Sequence, residues 1–215
     1  MRDCPSGPEW QDPDRWWNGI RSYLPADADY IEVVNECGID GATFSQFSIR
    51  LAELANDDGW AILAFSFPPG NPELSEWSGL VHYLRWAGSH PLSDGRYNGV
   101  ALHQSAYTNL AVRQGSWLNS PWIAGRHRLV WNFLRTLVPP YDHTQSPIPW
   151  VITEVGVTDG YSGSWTETFS CEQKAAAYRE TRRQYQQDGL WLAWWNIGSI
   201  GKWTDDSPCL ELMLR

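Results

Sequence analysis

The chain has no apolar run long enough to cross a membrane; none of its stretches approaches the ~18 residues such a span needs. Residues 1–17 are polar and rich in Pro and Asp, without the apolar centre of a signal peptide. Secretion is therefore not expected of the chain as it stands, and an extracellular location would need such a signal on a longer form. Basic residues are in deficit. Sixteen Lys and Arg stand against 25 Asp and Glu, a formal net charge of −9. Nucleic-acid binders carry a basic footprint, and anionic membrane surfaces attract basic patches, so neither partner is expected. Cysteine is scarce. Cys4, Cys37, Cys171 and Cys209 form no CxxC and have no nearby His pair, which excludes the usual zinc motifs and a disulfide scaffold. One bridge is compatible with the count, but the sequence does not name it, and free or incidental thiols are the favoured expectation. His82, His90, His127 and His143 share no spacing with carboxylates or cysteines, so no metal or other cofactor is expected. No Gly-rich phosphate loop follows any strand-like run, which weighs against a dinucleotide-binding fold. Repeats and low-complexity segments are also missing. An uncharged polysaccharide suits this balance as a partner.

What the chain has in excess is tryptophan: 15 residues in 215, roughly five times ordinary usage. Most of these indoles are expected in the core, where each buries a large area. The remainder are candidate sugar platforms, since the apolar face of a pyranose lies on an indole while its hydroxyls stay free. Trp117, Trp165, Trp194, Trp195 and Trp203 fall near expected strand ends or in loops.

Strand-like and helix-like stretches alternate. Apolar strand-like runs cover 30–36, 60–67, 98–104, 149–157 and 190–197. Helix-like stretches cover 14–24, 43–56, 74–86, 121–138 and 171–187; the segment 1–13 reads as irregular. Phe44, Phe47, Leu51 and Leu54 have helical spacing, as do Ile123, Val130, Phe133 and Leu137. Ser170 is the expected N-cap of the last stretch, and Asp188-Gly189 its stop. Repeated strand–helix units predict parallel strands joined by right-handed crossovers, in a single domain over 1–215. Acidic and aromatic residues crowd the C-terminal ends of the strands, where a (β/α)8 barrel keeps its active site. An α/β fold of TIM-barrel type is expected over a doubly wound open sheet.

Two of these runs end in carboxyls. One is Tyr30-Ile31-Glu32-Val33-Val34-Asn35-Glu36; the other is Trp150-Val151-Ile152-Thr153-Glu154-Val155-Gly156. Two carboxyls flanking a glycosidic bond are what a glycosidase needs. Between them lies Leu102-His103-Gln104-Ser105-Ala106-Tyr107, and after them Ala193-Trp194-Trp195-Asn196-Ile197-Gly198. In this order the four motifs resemble those of the retaining glycoside hydrolases in the large (β/α)8-barrel clan that contains the family-5-type cellulases and mannanases. In that clan the fourth strand ends in Asn-Glu, with the Glu as acid/base. The seventh carries the nucleophile, often as Ile-Thr-Glu-Phe-Gly. The sixth contributes a His and a Tyr near it, and the eighth ends in a Trp that floors the sugar site. The resemblance thus implies Glu36 as acid/base and Glu154 as nucleophile. It implies Asn35, His103, Tyr107, Trp194 and Trp195 around the substrate, with Trp195 the closer match of the two indoles. The usual His-x-Tyr spacing would put the Tyr at Ser105, so Tyr107 is a displaced substitute.

The resemblance covers roughly residues 14–203 and implies strands four to eight, a partial barrel, because residues before 30 leave no room for strands one to three. Five strands cannot close an eight-stranded barrel and leave two raw edges. The expected forms are a fragment, a reduced barrel, or a barrel completed by a partner chain or an upstream segment. The implied chemistry is retaining double displacement on a β-linked oligo- or polysaccharide, with the carboxyls about 5–5.5 Å apart. Glu154 attacks the anomeric carbon. Glu36, expected to be partly buried, protonates the leaving oxygen and then deprotonates the incoming water. Asn35 holds the sugar 2-hydroxyl, and His103 or Tyr107 orients Glu154. Glu32 is expected to be structural. Two other readings stay open: a non-catalytic carbohydrate-binding degenerate barrel, and an inactive fragment of a longer glycosidase. Sugar, linkage and endo or exo action belong to the loops after the strands.

Overall fold

Local capping chemistry starts the helices where polar residues precede apolar ones. The first, α1 (Pro13–Ile20), begins with the Asp12 carboxylate accepting from the Arg15 N–H and with Pro at its first position. In α2 (Gly41–Asp57) the Asp40 carboxylate accepts from the Thr43 N–H at 3.0 Å. A 3-10 turn, Leu74–Glu76, leads into α3 (Trp77–Ser89). The fourth helix, α4, spans Arg126–Arg135. The last, α5 (Cys171–Gln187), opens on a reciprocal capping box between Ser170 and Gln173 and stops before Gly189, whose φ of 76° glycine takes without cost. The structure, a computed structural model, describes residues 4–5, 7–38, 40–107, 124–158 and 170–194.

Five strands alternate with these helices: β1 (Tyr30–Glu32), β2 (Ala61–Phe67), β3 (Gly99–Tyr107), β4 (Trp150–Thr158) and β5 (Trp191–Trp194). They form one parallel sheet in the order β1-β2-β3-β4-β5, so sequence neighbours pair throughout. Ile31 lies opposite Ile62 and Ala64 opposite Val100. All seven residues of β2 are buried, as a continuous apolar run demands of a strand covered on both faces.

The chain packs as two compact units. The first comprises Met1–Leu102 with Val130–Val151, the second His103–Leu129 with Ile152–Arg215. The first has an aromatic core in which Phe44 meets Phe65 and Phe67 edge-on, and Trp77 stacks on Trp150 at 5.8 Å. Trp16 and Trp17 of α1 are buried there too. In the second, Ala175, Ala177, Tyr178, Thr181 and Tyr185 form the buried stripe of α5. No helix among the described residues is long and apolar enough to cross a membrane.

Three expectations are corrected. The first strand is three residues long rather than seven. Val33 and Val34 are buried but lie beyond the ladder. The fourth helix stops at Arg135 rather than residue 138. Its buried face is Val130, Trp131 and Leu134, while Val138 is exposed; residues 121–123 lie outside the described ones. The described cysteines are not free thiols. Cys4 and Cys37 are bridged with their Cα atoms 5.3 Å apart, and Cys171 is also disulfide-bonded.

Candidate functional site

Asn35 and Glu36 follow β1 in the first unit. Glu36 has φ 53°, and its N–H donates to the Ser66 carbonyl at 2.9 Å. Its neighbour Cys37 is tied to Cys4. The Asn35 carbonyl lies 3.3 Å from the Cys4 sulfur and 3.5 Å from the Cys37 sulfur. These are contacts and not hydrogen bonds, since a bridged sulfur carries no proton. The Asn35 side-chain oxygen is buried without a protein partner. An amide flip exchanges its oxygen and nitrogen, so Asn35 retains hydrogen-bonding capacity beside Glu36 at one amide end. Glu36 is exposed, where partial burial was expected.

His103 and Glu154 belong to the second unit, on the neighbouring strands β3 and β4. Fifty-one positions apart in sequence, they are brought side by side: His103 Nδ1 is 3.6 Å from Glu154 Oε2. The imidazole is almost wholly buried and the carboxylate is 24% exposed. A buried imidazole thus lies beside one oxygen of a partly open carboxylate. The separation is too long for a hydrogen bond and is an ion-pair distance if the imidazole is protonated.

Side chains alternate along a strand, so Gln104 faces away from His103 and into the helix layer. There the Gln104 amide meets His127 Nδ1 at 3.1 Å, and His127 Nε2 lies 2.9 Å from Asp188 Oδ2. The assignment satisfying every atom has Nε2–H donating to Asp188 and Nδ1 accepting from the Gln104 amide. The Tyr185 hydroxyl shares its proton between the Ala124 carbonyl at 2.7 Å and Gln104 Oε1 at 2.9 Å. Arg128 donates to Asp188 at 2.7 Å. Burial pushes the His127 imidazole below its ordinary range despite Asp188 beside it. Burial alone would raise Asp188, but the hydrogen bonds from His127 and Arg128 together outweigh it and hold its carboxyl below the usual range. This network anchors the strand carrying His103 to α4 and α5. His127, which has no metal-ligand spacing in the sequence, is a structural hub that local sequence does not signal, because its partners lie 23 and 61 residues away.

Tyr107 and Trp194 end β3 and β5, and only their backbones are described. Trp195 lies outside the described residues, as do Trp117, Trp165 and Trp203. Trp191, absent from the expected platforms, is 56% exposed and lines a surface concavity with Tyr178, Arg182 and Gln186. No protein-family model, curated protein or solved structure matches this chain.

Proposed function

We propose that the chain is a retaining glycoside hydrolase acting on a β-linked oligo- or polysaccharide. The observation that carries this is the His103–Glu154 pair, a buried imidazole 3.6 Å from a partly open strand-end carboxylate. In this reading Glu154 attacks the anomeric carbon as a carboxylate, the glycosidic C–O bond breaks, and a glycosyl ester forms. Glu36 gives its proton to the departing oxygen. It then takes one from the water that attacks the same carbon, and the ester bond to Glu154 breaks. His103 keeps Glu154 oriented, and Asn35 hydrogen-bonds the sugar 2-hydroxyl with its unsatisfied amide end. Tyr107, Trp194 and Trp195 complete the sugar site. The five parallel strands are then strands four to eight of a (β/α)8 barrel, with an upstream segment or a partner chain supplying the others.

The test is hydrolysis of a panel of chromogenic β-glycosides and of β-glucan and β-mannan polymers by the wild type and by Glu154→Ala. At least one substrate should be cleaved, and the variant should lose about 10⁴-fold or more of that rate, as removal of a nucleophile does. Equal background rates in two folded proteins would end the enzyme reading. Glycan binding without turnover would favour the non-catalytic carbohydrate-binding alternative.

A further inference from the structure

Among the described residues, those with positive φ other than glycine are Glu36 at 53°, Phe65 at 87° and Ser66 at 41°. Side chains with a Cβ rarely take this conformation, and such strain persists only where the surroundings impose it. The three residues are not scattered. Glu36 ends the segment after β1, Phe65 and Ser66 lie at the end of β2, and the 2.9 Å hydrogen bond from the Glu36 N–H to the Ser66 carbonyl joins them. The ladder slips at the same place. Phe65 lies opposite Ala101 and Phe67 opposite Leu102, so Ser66 is the extra residue of a bulge.

Rings clamp this bulge. Phe65 and Phe67 stack on each other at 5.5 Å, and both meet Phe44 and Trp77 edge-on. Ser66 itself is fully buried, and its hydroxyl has no hydrogen-bond partner. Its carbonyl accepts from the Glu36 N–H, so the bulge and the segment after β1 are joined at this point.

We infer that Ser66 is a positioning residue for Glu36: from the clamped bulge its carbonyl anchors the Glu36 N–H, helping to hold Glu36 in the left-handed conformation and so setting the direction of the carboxyl that delivers the leaving-group proton. This rests on the reading of Glu36 as the acid/base. The residue is specified by its backbone, so the side chain matters only through the φ it permits.

Two variants test it. Ser66→Thr adds a branched Cβ that disfavours positive φ at a buried position. Phe67→Leu loosens the ring clamp and leaves the bulge residue unchanged. Each is assayed on two aryl glycosides of one sugar, a dinitrophenyl glycoside that departs without protonation and an unactivated phenyl glycoside that needs it. Ser66→Thr and Phe67→Leu should lose about 30-fold in kcat/KM on the unactivated substrate, part of the 10²–10⁴-fold typical of a general acid, and under about 3-fold on the activated one. Equal losses on the two substrates, or no loss, in variants with native circular dichroism and a cooperative thermal transition would overturn the inference. Should Ser66→Thr not fold, Phe67→Leu decides it alone. Glu36→Ala is measured alongside. A split between substrates in Glu36→Ala but not in the bulge variants sinks only the role of Ser66. No split in Glu36→Ala sinks the acid/base reading and this inference together.

Discussion

Protonating His127 would place a charge at a position with no solvent exposure, between Gln104 of β3 and Asp188 after α5. The groups facing it are Asp188, which favours the charge, Arg128, which opposes it, and the neutral Tyr185 ring at 5.3 Å. Burial is the largest influence and wins, so the folded imidazole binds its proton less readily than the unfolded one. An unfolded histidine titrates near ~6.5. As pH falls through that value the unfolded chain takes up a proton that the folded chain refuses, and stability falls. Asp188 adds a second loss at lower pH. Its folded carboxyl is held below the ordinary range, so its contribution is present above about 4 and disappears as pH drops through the folded value. Urea unfolding at steps from about pH 8 to 5 should show the wild type losing stability faster than His127→Gln, which keeps an amide in the network but does not titrate. A wild type that instead gains stability over this interval would mean that pairing with Asp188 outweighs burial, contrary to the balance argued here.

At the scale of elements, α2 and α3 meet through two glycines. A Cβ on Gly79 would lie 2.9 Å from the Ala42 nitrogen and the Gly41 carbonyl carbon, and one on Gly41 would lie 2.7 Å from the Glu76 carbonyl oxygen. These neighbours are backbone and cannot swing away. In an exposed helix Gly→Ala is favourable by about 1 kcal/mol, while overpacking costs about 1–3 kcal/mol. Contact with backbone puts Gly79→Ala at the costly end, for a net loss of about 1–2 kcal/mol in denaturant-midpoint measurements; an unchanged or raised midpoint would show that the helices part freely. Such contacts also mark how far the sequence could be read. The ends of α5 were legible because Ser170, Gln173 and Gly189 act within their own turn. The alternation of strands and helices was legible from apolar runs alone. The bulge in β2 was not, because Phe65 and Ser66 take positive φ in a run with no glycine to signal it. For the site, Asn35-Glu36, His103 and Glu154 could be named by their motifs; that His103 and Glu154 lie 3.6 Å apart could not, because they sit on different strands. Ser66 could not be named, since what it supplies is a carbonyl that every residue possesses.

Across the whole molecule, the Cys4–Cys37 bridge spans 33 positions and fastens the start of the described chain to the residue after Glu36. Such a pairing is invisible in cysteine spacing, because it depends on where α1 and β1 carry the two ends. Bridges of this kind persist in oxidising surroundings. Closing a loop of that length removes conformational freedom from the unfolded chain, worth roughly 3–4 kcal/mol on the chain-entropy account. The double variant Cys4→Ala with Cys37→Ala is a cleaner probe than a reducing agent, which would also attack the bridge at Cys171. It should unfold with a free energy lower by roughly that amount. The denaturant dependence should move as well. If the bridge acts through the unfolded state, releasing it lets that state expand and expose more surface, so the slope of free energy against urea should steepen as stability falls. A loss of stability at constant slope would place the bridge's effect in native contacts around Asn35 instead. A variant as stable as the wild type would mean that the thirty-odd residues between the cysteines are already confined without it.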